Sequence, residues 1–329
     1  MSVCLVTGGA GFIGSHLVDA LLAHGHTVRV LDNFSTGTVA NLAQSLDRVE
    51  LILGDLINLD LVRQAMEGVE LVFHHAAPVA GAYTSLDTAA AHHAYVTGTR
   101  HALIAAREAG VRRLVYASSS TVYGRASLLP LSEESATQPL SPYAAAKLTG
   151  EQDCTAFTGI YGLETVRLRY FNVFGPRQSG SMPYSDTVLQ ALKAMLAGRH
   201  PVVPGDGLEP EDFLSVNDVV HANLLVADAR RVAGRVYNIG RGRPTTALEV
   251  VAALNTVLGT RNQPVRGPAR SRGEFRHLAD VSRAETELGF CPSTDLETGL
   301  RLCVDSYAKW REEFLGLPEV IPAENLGGA

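Results

Sequence analysis

Apolar runs of strand length recur through the first half of the chain, at SVCLVT (2–7), TVRVLD (27–32), VELILGD (49–55), VELVFHHA (69–76) and RRLVYASS (112–119). Between them lie stretches with helical spacing, such as FIGSHLVDALLAHG (12–25) and AYVTGTRHALIAAREAG (94–110). Continuous apolar strands alternating with helices predict an α/β fold, a doubly wound parallel sheet with right-handed crossovers and helices on both faces. A helix over 143–160 and a strand over 164–170 extend the pattern. After Asn172, glycines and prolines at 175, 176, 180, 183, 204, 205, 207 and 210 break the alternation. This predicts a larger unit over 1–172 and a smaller α/β portion over 173–329 that folds over the C-terminal edge of the sheet, some of its segments returning to the first unit.

Composition narrows the partners. The 329 residues, 46% hydrophobic, are enough to bury a large core. A net charge of −6 with no lysine- or arginine-rich run offers no field for nucleic acid. No apolar run is long enough to span a bilayer, and the first residues enter a strand with no leader-like pattern. The four cysteines (Cys4, Cys154, Cys291, Cys303) are scattered without a C-x-x-C pair, as expected of buried thiols in a reducing compartment. The expectation is a cytoplasmic protein. His74 and His75 alternate along one strand, and His92 and His93 lie on different sides of a helix, so neither pair has metal-ligand spacing and no metal is expected.

The first strand runs into TGGAGFIGS (7–15), which satisfies both G-x-G-x-x-G (Gly9, Gly11, Gly14) and G-x-x-G-x-x-G (Gly8, Gly11, Gly14). Between a strand and a helix, such glycines allow a tight turn, close backbone approach to a pyrophosphate, and an anion at the helix N-terminus beside Phe12 and Ile13. Asp32 stands at the tip of the second strand, where a carboxylate accepts from both hydroxyls of an adenosine ribose. A 2′-phosphate would be repelled there, and Asn33 and Phe34 supply no cation, which favours NAD over NADP. Asp55 and Leu56 close the third run at the sheet edge where an adenine would sit, and Ala76 follows the fourth. The first unit is thus read as a Rossmann-type NAD-binding domain.

Two further segments bear on chemistry. VYASSSTVYG (115–124) closes the fifth run with small hydroxyl residues, and SPYAAAKLTGE (141–151) sets Tyr143 and Lys147 one helical turn apart on a common face. A free tyrosine, with a pKa near ~10, is a poor base at neutral pH. A neighbouring ammonium and a positive nicotinamide ring stabilise its phenolate, which can then take a proton from a sugar hydroxyl.

With these segments, and with RYFNVFGPRQ (169–178), VNDVVHAN (216–223), YNIGRGRPTT (237–246) and LADVSRA (278–284), the chain resembles the extended short-chain dehydrogenase/reductase family over nearly its full length. Within it, the similarity is to the NAD-dependent sugar-nucleotide epimerase/dehydratase group, above all the UDP-hexose 4-epimerases. The resemblance implies bound NAD, a nucleoside-diphosphate sugar in the C-terminal portion, and a homodimer paired through alanine-rich helices. It implies Tyr143 as catalytic base and acid, Lys147 as the residue that holds the nicotinamide ribose and tunes Tyr143, and Ser119 as the hydrogen-bonding partner of the reacting oxygen. Ser118 and Ser120 remain open as alternatives to Ser119, and Ser120 is also a candidate substrate contact. Asn172 matches the family's substrate-diphosphate contact.

Dehydratases of this group resemble one another in carrying Asp-Glu after the catalytic hydroxyl residue, and decarboxylating members a glutamate at the second of those places. Here the positions are Ser120 and Thr121, which points to a 4-epimerase acting by transient oxidation at C4. Three departures stand out. Glu211 in GDGLEPEDF (205–213) replaces an expected arginine, so either it turns away and Arg270, Arg272 or Arg276 compensates, or the substrate differs from a UDP-hexose. Tyr95 stands in place of an expected asparagine. His277 falls near the position limiting room at the sugar's C2 substituent, where an imidazole favours a plain hexose. The rival readings are an epimerase of a charged or modified sugar such as UDP-glucuronate, a dehydratase or net oxidoreductase, and an NAD-binding regulatory or scaffold protein.

Overall fold

The structure is a computed structural model that describes residues 1–77, 88–125, 128–178, 187–268 and 277–309. In chain order the first half comprises β1 (Val3–Thr7), α1 (Phe12–Ala23), β2 (Thr27–Asp32), β3 (Val49–Leu53), α2 (Leu59–Met66), β4 (Leu71–His74), α3 (Thr88–Glu108), β5 (Arg113–Ser119), α4 (Pro142–Tyr161) and β6 (Glu164–Tyr170). The second half adds β7 (Val173–Phe174), α5 (Thr187–Leu196), β8 (Val202–Pro204), β9 (Pro210–Glu211), β10 (Leu214–Ser215), α6 (Val216–Asp228), β11 (Val236–Ile239), β12 (Thr245–Thr246), α7 (Ala247–Leu258), β13 (Val265–Gly267), α8 (Ser282–Leu288) and α9 (Leu296–Lys309).

Seven strands form one parallel sheet in the order β11-β6-β5-β4-β1-β2-β3. Side chains alternate across it. Cys4 and Val6 of β1 with Val28 and Val30 of β2 meet Leu17, Val18 and Leu21 of α1 and Val219 and Val226 of α6 on one face. Leu5, Leu31, Val72, Leu114 and Tyr116 meet Val62 of α2, Leu103 and Ala106 of α3 and Cys154 of α4 on the other. Because both faces are covered, the strands read as unbroken apolar runs.

The chain order reverses between β1 and β4, and at such a switch point the loops at the carboxyl ends diverge to leave a crevice. In the second half, α6 packs on the main sheet and β11 joins it, while α5, α7 and α9 gather a separate core around Val203, Phe213, Leu254 and Leu300. Its remaining strands pair two by two, β10 with β7, β12 with β9 and β13 with β8. Cys4, Cys154 and Cys303 are buried as expected, but Cys291 is exposed, because it follows the turn that ends α8. Among the described residues no helix is long and apolar enough to cross a membrane, and no cluster of metal-ligating side chains occurs.

Candidate active site

The glycine loop lies in the switch-point crevice. Gly8 has φ +70°, and a Cβ there would come 2.7 Å from the backbone of Ala76, just past β4. A Cβ on Gly14 would stand 2.1 Å from the Gly8 carbonyl oxygen, so the first turn of α1 can approach the loop only as glycine. Gly11 is the N-cap of α1 with no side-chain cap, and no acidic residue occupies the first turn. The amides at Phe12, Ile13 and Gly14 therefore open a helix whose positive end faces the crevice.

Asp32, 6% exposed, accepts from the Ala10 amide at 2.9 Å and the Phe34 amide at 2.8 Å, and so ties the glycine loop to the end of β2. A carboxylate offers about four lone-pair sites, so these bonds leave capacity for a ribose. Beyond it, the Asn33 amide donates to Asp55 at 2.9 Å, and Asp55 accepts from the Ile57 amide. The Leu56 carbonyl hydrogen-bonds His101 of α3, which fixes that edge.

Tyr143 and Lys147 ride on α4. Ser141 caps the helix by accepting from the Ala144 amide at 3.1 Å, and Pro142 sits at its first position, where a missing N–H costs nothing. Lys147, 4% exposed, donates to the Ala117 carbonyl of β5 at 2.7 Å. Its Nζ lies 5.7 Å from the centroid of the Tyr95 ring, 5.2 Å from that of Tyr116 and 5.8 Å from that of Tyr143. Burial draws its pKa down to about 8.

The three serines divide. Ser118 is buried and donates to Glu151 Oε1 at 2.5 Å. Ser120 is buried and meets His277 Nδ1 at 3.2 Å. Ser119 alone of the three is partly exposed, and it accepts from the amide and hydroxyl of Thr121 at 3.2 and 3.0 Å. His277, 5% exposed, also meets the Gly124 carbonyl at 2.9 Å. A carbonyl only accepts, so Nε2 carries the proton and Nδ1 accepts from Ser120, a neutral ring that its burial also favours. Ser120 is thus buried with its proton donated to His277, which leaves its oxygen lone pairs for any further contact.

Asn172 is half-buried between β6 and β7, its carbonyl accepting from the Leu214 amide at 3.1 Å. Glu211 is 5% exposed and accepts from the Thr187 hydroxyl at 3.3 Å. Arg270, Arg272 and Arg276 lie outside the described residues, as does Trp310, while Tyr307 packs in the separate core with Phe213 and Leu300. The histidines at 74 and 75 face opposite sides of the sheet: His74 bridges Thr7 at 2.8 Å and Thr99 at 3.0 Å, and His75 bonds Tyr170 at 3.0 Å. Of the pair at 92 and 93, His93 is exposed and bonds Thr97, and the His92 side chain lies outside the described residues.

One group escaped the sequence reading. Arg169 of β6 makes a bidentate pair with Glu151, 2.8 and 2.6 Å, both side chains nearly inaccessible, and the guanidinium lies 4.7 Å from the Tyr123 ring centroid. The available signal was Glu151 itself, one turn beyond Lys147 on the face of α4 that carries Tyr143.

The profile of the NAD dependent epimerase/dehydratase family matches residues 4–240. A UDP-glucose 4-epimerase of Mycolicibacterium smegmatis is 36% identical over 92% of this chain and 97% of its own. Among solved structures, UDP-glucose 4-epimerase of Thermotoga maritima, solved with UDP-glucose, superposes with a TM-score of 0.87 at 34% identity, covering 94% of this chain and all (100%) of that one. UDP-glucuronic acid 4-epimerase of Bacillus cereus, solved with UDP-glucuronic acid and NAD, superposes with a TM-score of 0.85 at 30% identity over 94% of this chain and 99% of that one.

Proposed function

The chain belongs to the NAD-dependent epimerase/dehydratase family, and on that premise we propose that it is a nucleoside-diphosphate-hexose 4-epimerase of the UDP-glucose/UDP-galactose type. One observation carries the reading: Lys147, buried on α4 one turn after the half-exposed Tyr143, donates to the Ala117 carbonyl of β5 two residues before Ser119, with Ser120 and Thr121 where elimination chemistry would need carboxylates.

The crevice fits NAD: at Gly8 and Gly14 even a Cβ would strike the Ala76 backbone or the Gly8 carbonyl, so the loop turns tightly into the uncapped start of α1 and leaves its amides for an anion. The amides from Gly8 to Gly14, with Gly11, Phe12 and Ile13, and the backbone at Ala76 would hold the pyrophosphate. Asp32 and Asn33 would hold the adenosine ribose, Asp55 and Leu56 the adenine edge, and Tyr143 and Lys147 the nicotinamide ribose. When bound, NAD would supply reversible hydride acceptance for oxidation and reduction at C4. Tyr143, as phenolate, takes the C4 hydroxyl proton and gives it back at the end of the cycle. Lys147 stabilises that phenolate electrostatically, and Ser119 positions the C4 oxygen. Asn172 binds the substrate diphosphate, with Arg270 and Arg276 as further anion contacts and His277 at the sugar wall. Tight binding of the nucleotide leaves the sugar free to turn.

Glu211 bears on the anion site. Bonded to Thr187, its carboxylate is engaged away from solvent, which supports the turned-away alternative. A homodimer paired through α3 and α4, located in the cytoplasm, completes the proposal; light scattering on the purified protein tests the pairing.

The functional test incubates the protein with NAD⁺ and UDP-, dTDP-, GDP- and CDP-hexoses and UDP-glucuronate, following products by NMR and NADH by absorbance. A C4-epimer of a neutral UDP-hexose without NADH accumulation supports the proposal. Epimerisation of UDP-glucuronate alone moves the substrate to the charged class; stoichiometric NADH, a 4-keto-6-deoxy product or silence across the panel overturns the assignment.

A further inference from the structure

Tyr95 lies on α3, 6% exposed, at the back of the candidate site. Its ring meets that of Tyr143 edge to face, with centroids 5.4 Å apart and planes at 71°, and Tyr143 and Ala77 pack against the small cluster that Tyr95 forms with Ala146. The centroid of the same ring lies 5.7 Å from Lys147 Nζ, and that of Tyr116 of β5 lies 5.2 Å from it. A protonated amine shut inside three aromatic rings and anchored by one carbonyl bond is screened by almost no water. Its charge acts on neighbours at a low effective dielectric, where one unit charge a few ångströms away matters several times more than in solvent. The ring quadrupoles offset part of the cost of dehydrating it.

We propose that Tyr95 is a positioning residue for the proton transfer: its ring fixes Tyr143 edge-on and completes the tyrosine enclosure that keeps the Lys147 ammonium dry. This rests on the reading of Tyr143 and Lys147 as the acid-base pair. The ring, not the hydroxyl, is the working part. The Tyr95 phenol is itself held neutral, first by burial and then by the proximity of Tyr143, so it does not compete for the proton. Around the ammonium the other titratable groups are Glu151 and Cys154 on α4, which favour its charge, and His74 and His75 at the end of β4, which burial keeps uncharged. None of these is altered by a change at position 95.

The test compares Tyr95→Phe with Tyr95→Leu in the NAD-loaded protein, and Tyr95→Met serves where leucine impairs folding. Two quantities are read: kcat and KM on the substrate the wild type turns over, and the phenolate absorbance of Tyr143 against pH, taken as the difference from the same protein carrying Tyr143→Phe. Tyr95→Phe should match the wild type in both. Tyr95→Leu should lower kcat about tenfold with KM within about threefold, and move the phenolate titration up by about one pH unit, because water entering the enclosure screens Lys147. A leucine variant that titrates like the wild type overturns the proposal. So does a phenylalanine variant that falls with it, which would assign the effect to the hydroxyl, or a kcat loss that tracks loss of bound NAD. If the wild type turns over no sugar nucleotide, the proposed reaction fails, while the phenolate titration still decides the role of Tyr95.

Discussion

Lys147 donates to the carbonyl oxygen of Ala117 at 2.7 Å, and this bond fastens the second turn of α4 to the end of β5 just before the serine run. The contact sets the distance between the helix that carries Tyr143 and the strand that carries Ser119. It also makes the ammonium the charge that α4 presents to Tyr143.

Activity should therefore depend on the Lys147 proton. Burial draws that pKa down to about 8, so the ammonium is present below this value and is lost as pH rises through it. The rate of the NAD-loaded protein should fall on the alkaline side with a midpoint near about 8, and Lys147→Met should lower the rate at neutral pH by about 10²-fold or more. A wild-type profile flat to well above this midpoint would mean that Lys147 keeps its proton in the working enzyme, or that the proton is not needed.

Tyr143→Phe keeps the ring that packs on Tyr95 and Ala146 and removes only the hydroxyl. Turnover should drop by about 10²–10⁴-fold, the range of a positioned acid-base group, with NAD still bound after gel filtration. Turnover within about tenfold of wild type would transfer the proton step to another group.

Asp32 should decide between the two dinucleotides. Its carboxylate already holds the Ala10 and Phe34 amides, so Asp32→Ala both loosens the glycine loop and removes the negative charge facing a 2′-phosphate. NAD affinity should fall by about tenfold or more, a loss of roughly 1.4 kcal/mol, and discrimination against NADP should shrink. Calorimetric titration of apoprotein with each dinucleotide measures both, and an unchanged ratio would remove Asp32 from the site.

These elements were legible in the sequence to different degrees. The strand expected over 164–170 is β6, and the helix expected over 143–160 is α4 with one extra residue at each end, because both are long apolar patterns bounded by Ser141 and Gly162. The strands β7, β9, β10 and β12 are two residues each and exist only through their partners, so local sequence carries no sign of them. The same limit applied to the serines. Period-two alternation says that Ser118 and Ser119 face opposite ways but not which way is inward, and Ser120 leaves the strand for a 3₁₀ turn. What distinguishes them is Glu151 behind one and His277 behind another, contacts made over 33 and 157 residues of chain.

The Glu151–Arg169 pair makes a prediction for stability. Both side chains are buried, so Glu151→Ala strands a guanidinium charge beneath the site and frees the Ser118 hydroxyl. Removing one partner of such a pair costs about 3–5 kcal/mol. The urea midpoint of the variant should fall accordingly. The double variant Glu151→Leu with Arg169→Met should recover much of the loss, since apolar residues replace a buried pair without leaving a charge behind. A single variant within about 1 kcal/mol of wild type would mean that water already reaches Arg169.

Acid should test the buried histidines. His74 and His75 are held neutral to about 3, chiefly by burial and then by the charge of Lys147. In the unfolded chain each ring takes a proton near about 6.5, so between that pH and about 3 the unfolded state binds more protons than the folded one. Stability is full above the upper value and declines as pH falls through the window. His75→Phe keeps an aromatic ring on Tyr170, whose hydroxyl still bonds Asn223, and removes one of the two titrations. Its unfolding midpoint in urea should therefore change less than that of the wild type between pH of about 7 and about 5, the range over which the unfolded histidine charges. Equal slopes for the two proteins would show that His75 charges in the native state, which would place a second cation beside Lys147 and contradict the dry surroundings inferred for that ammonium.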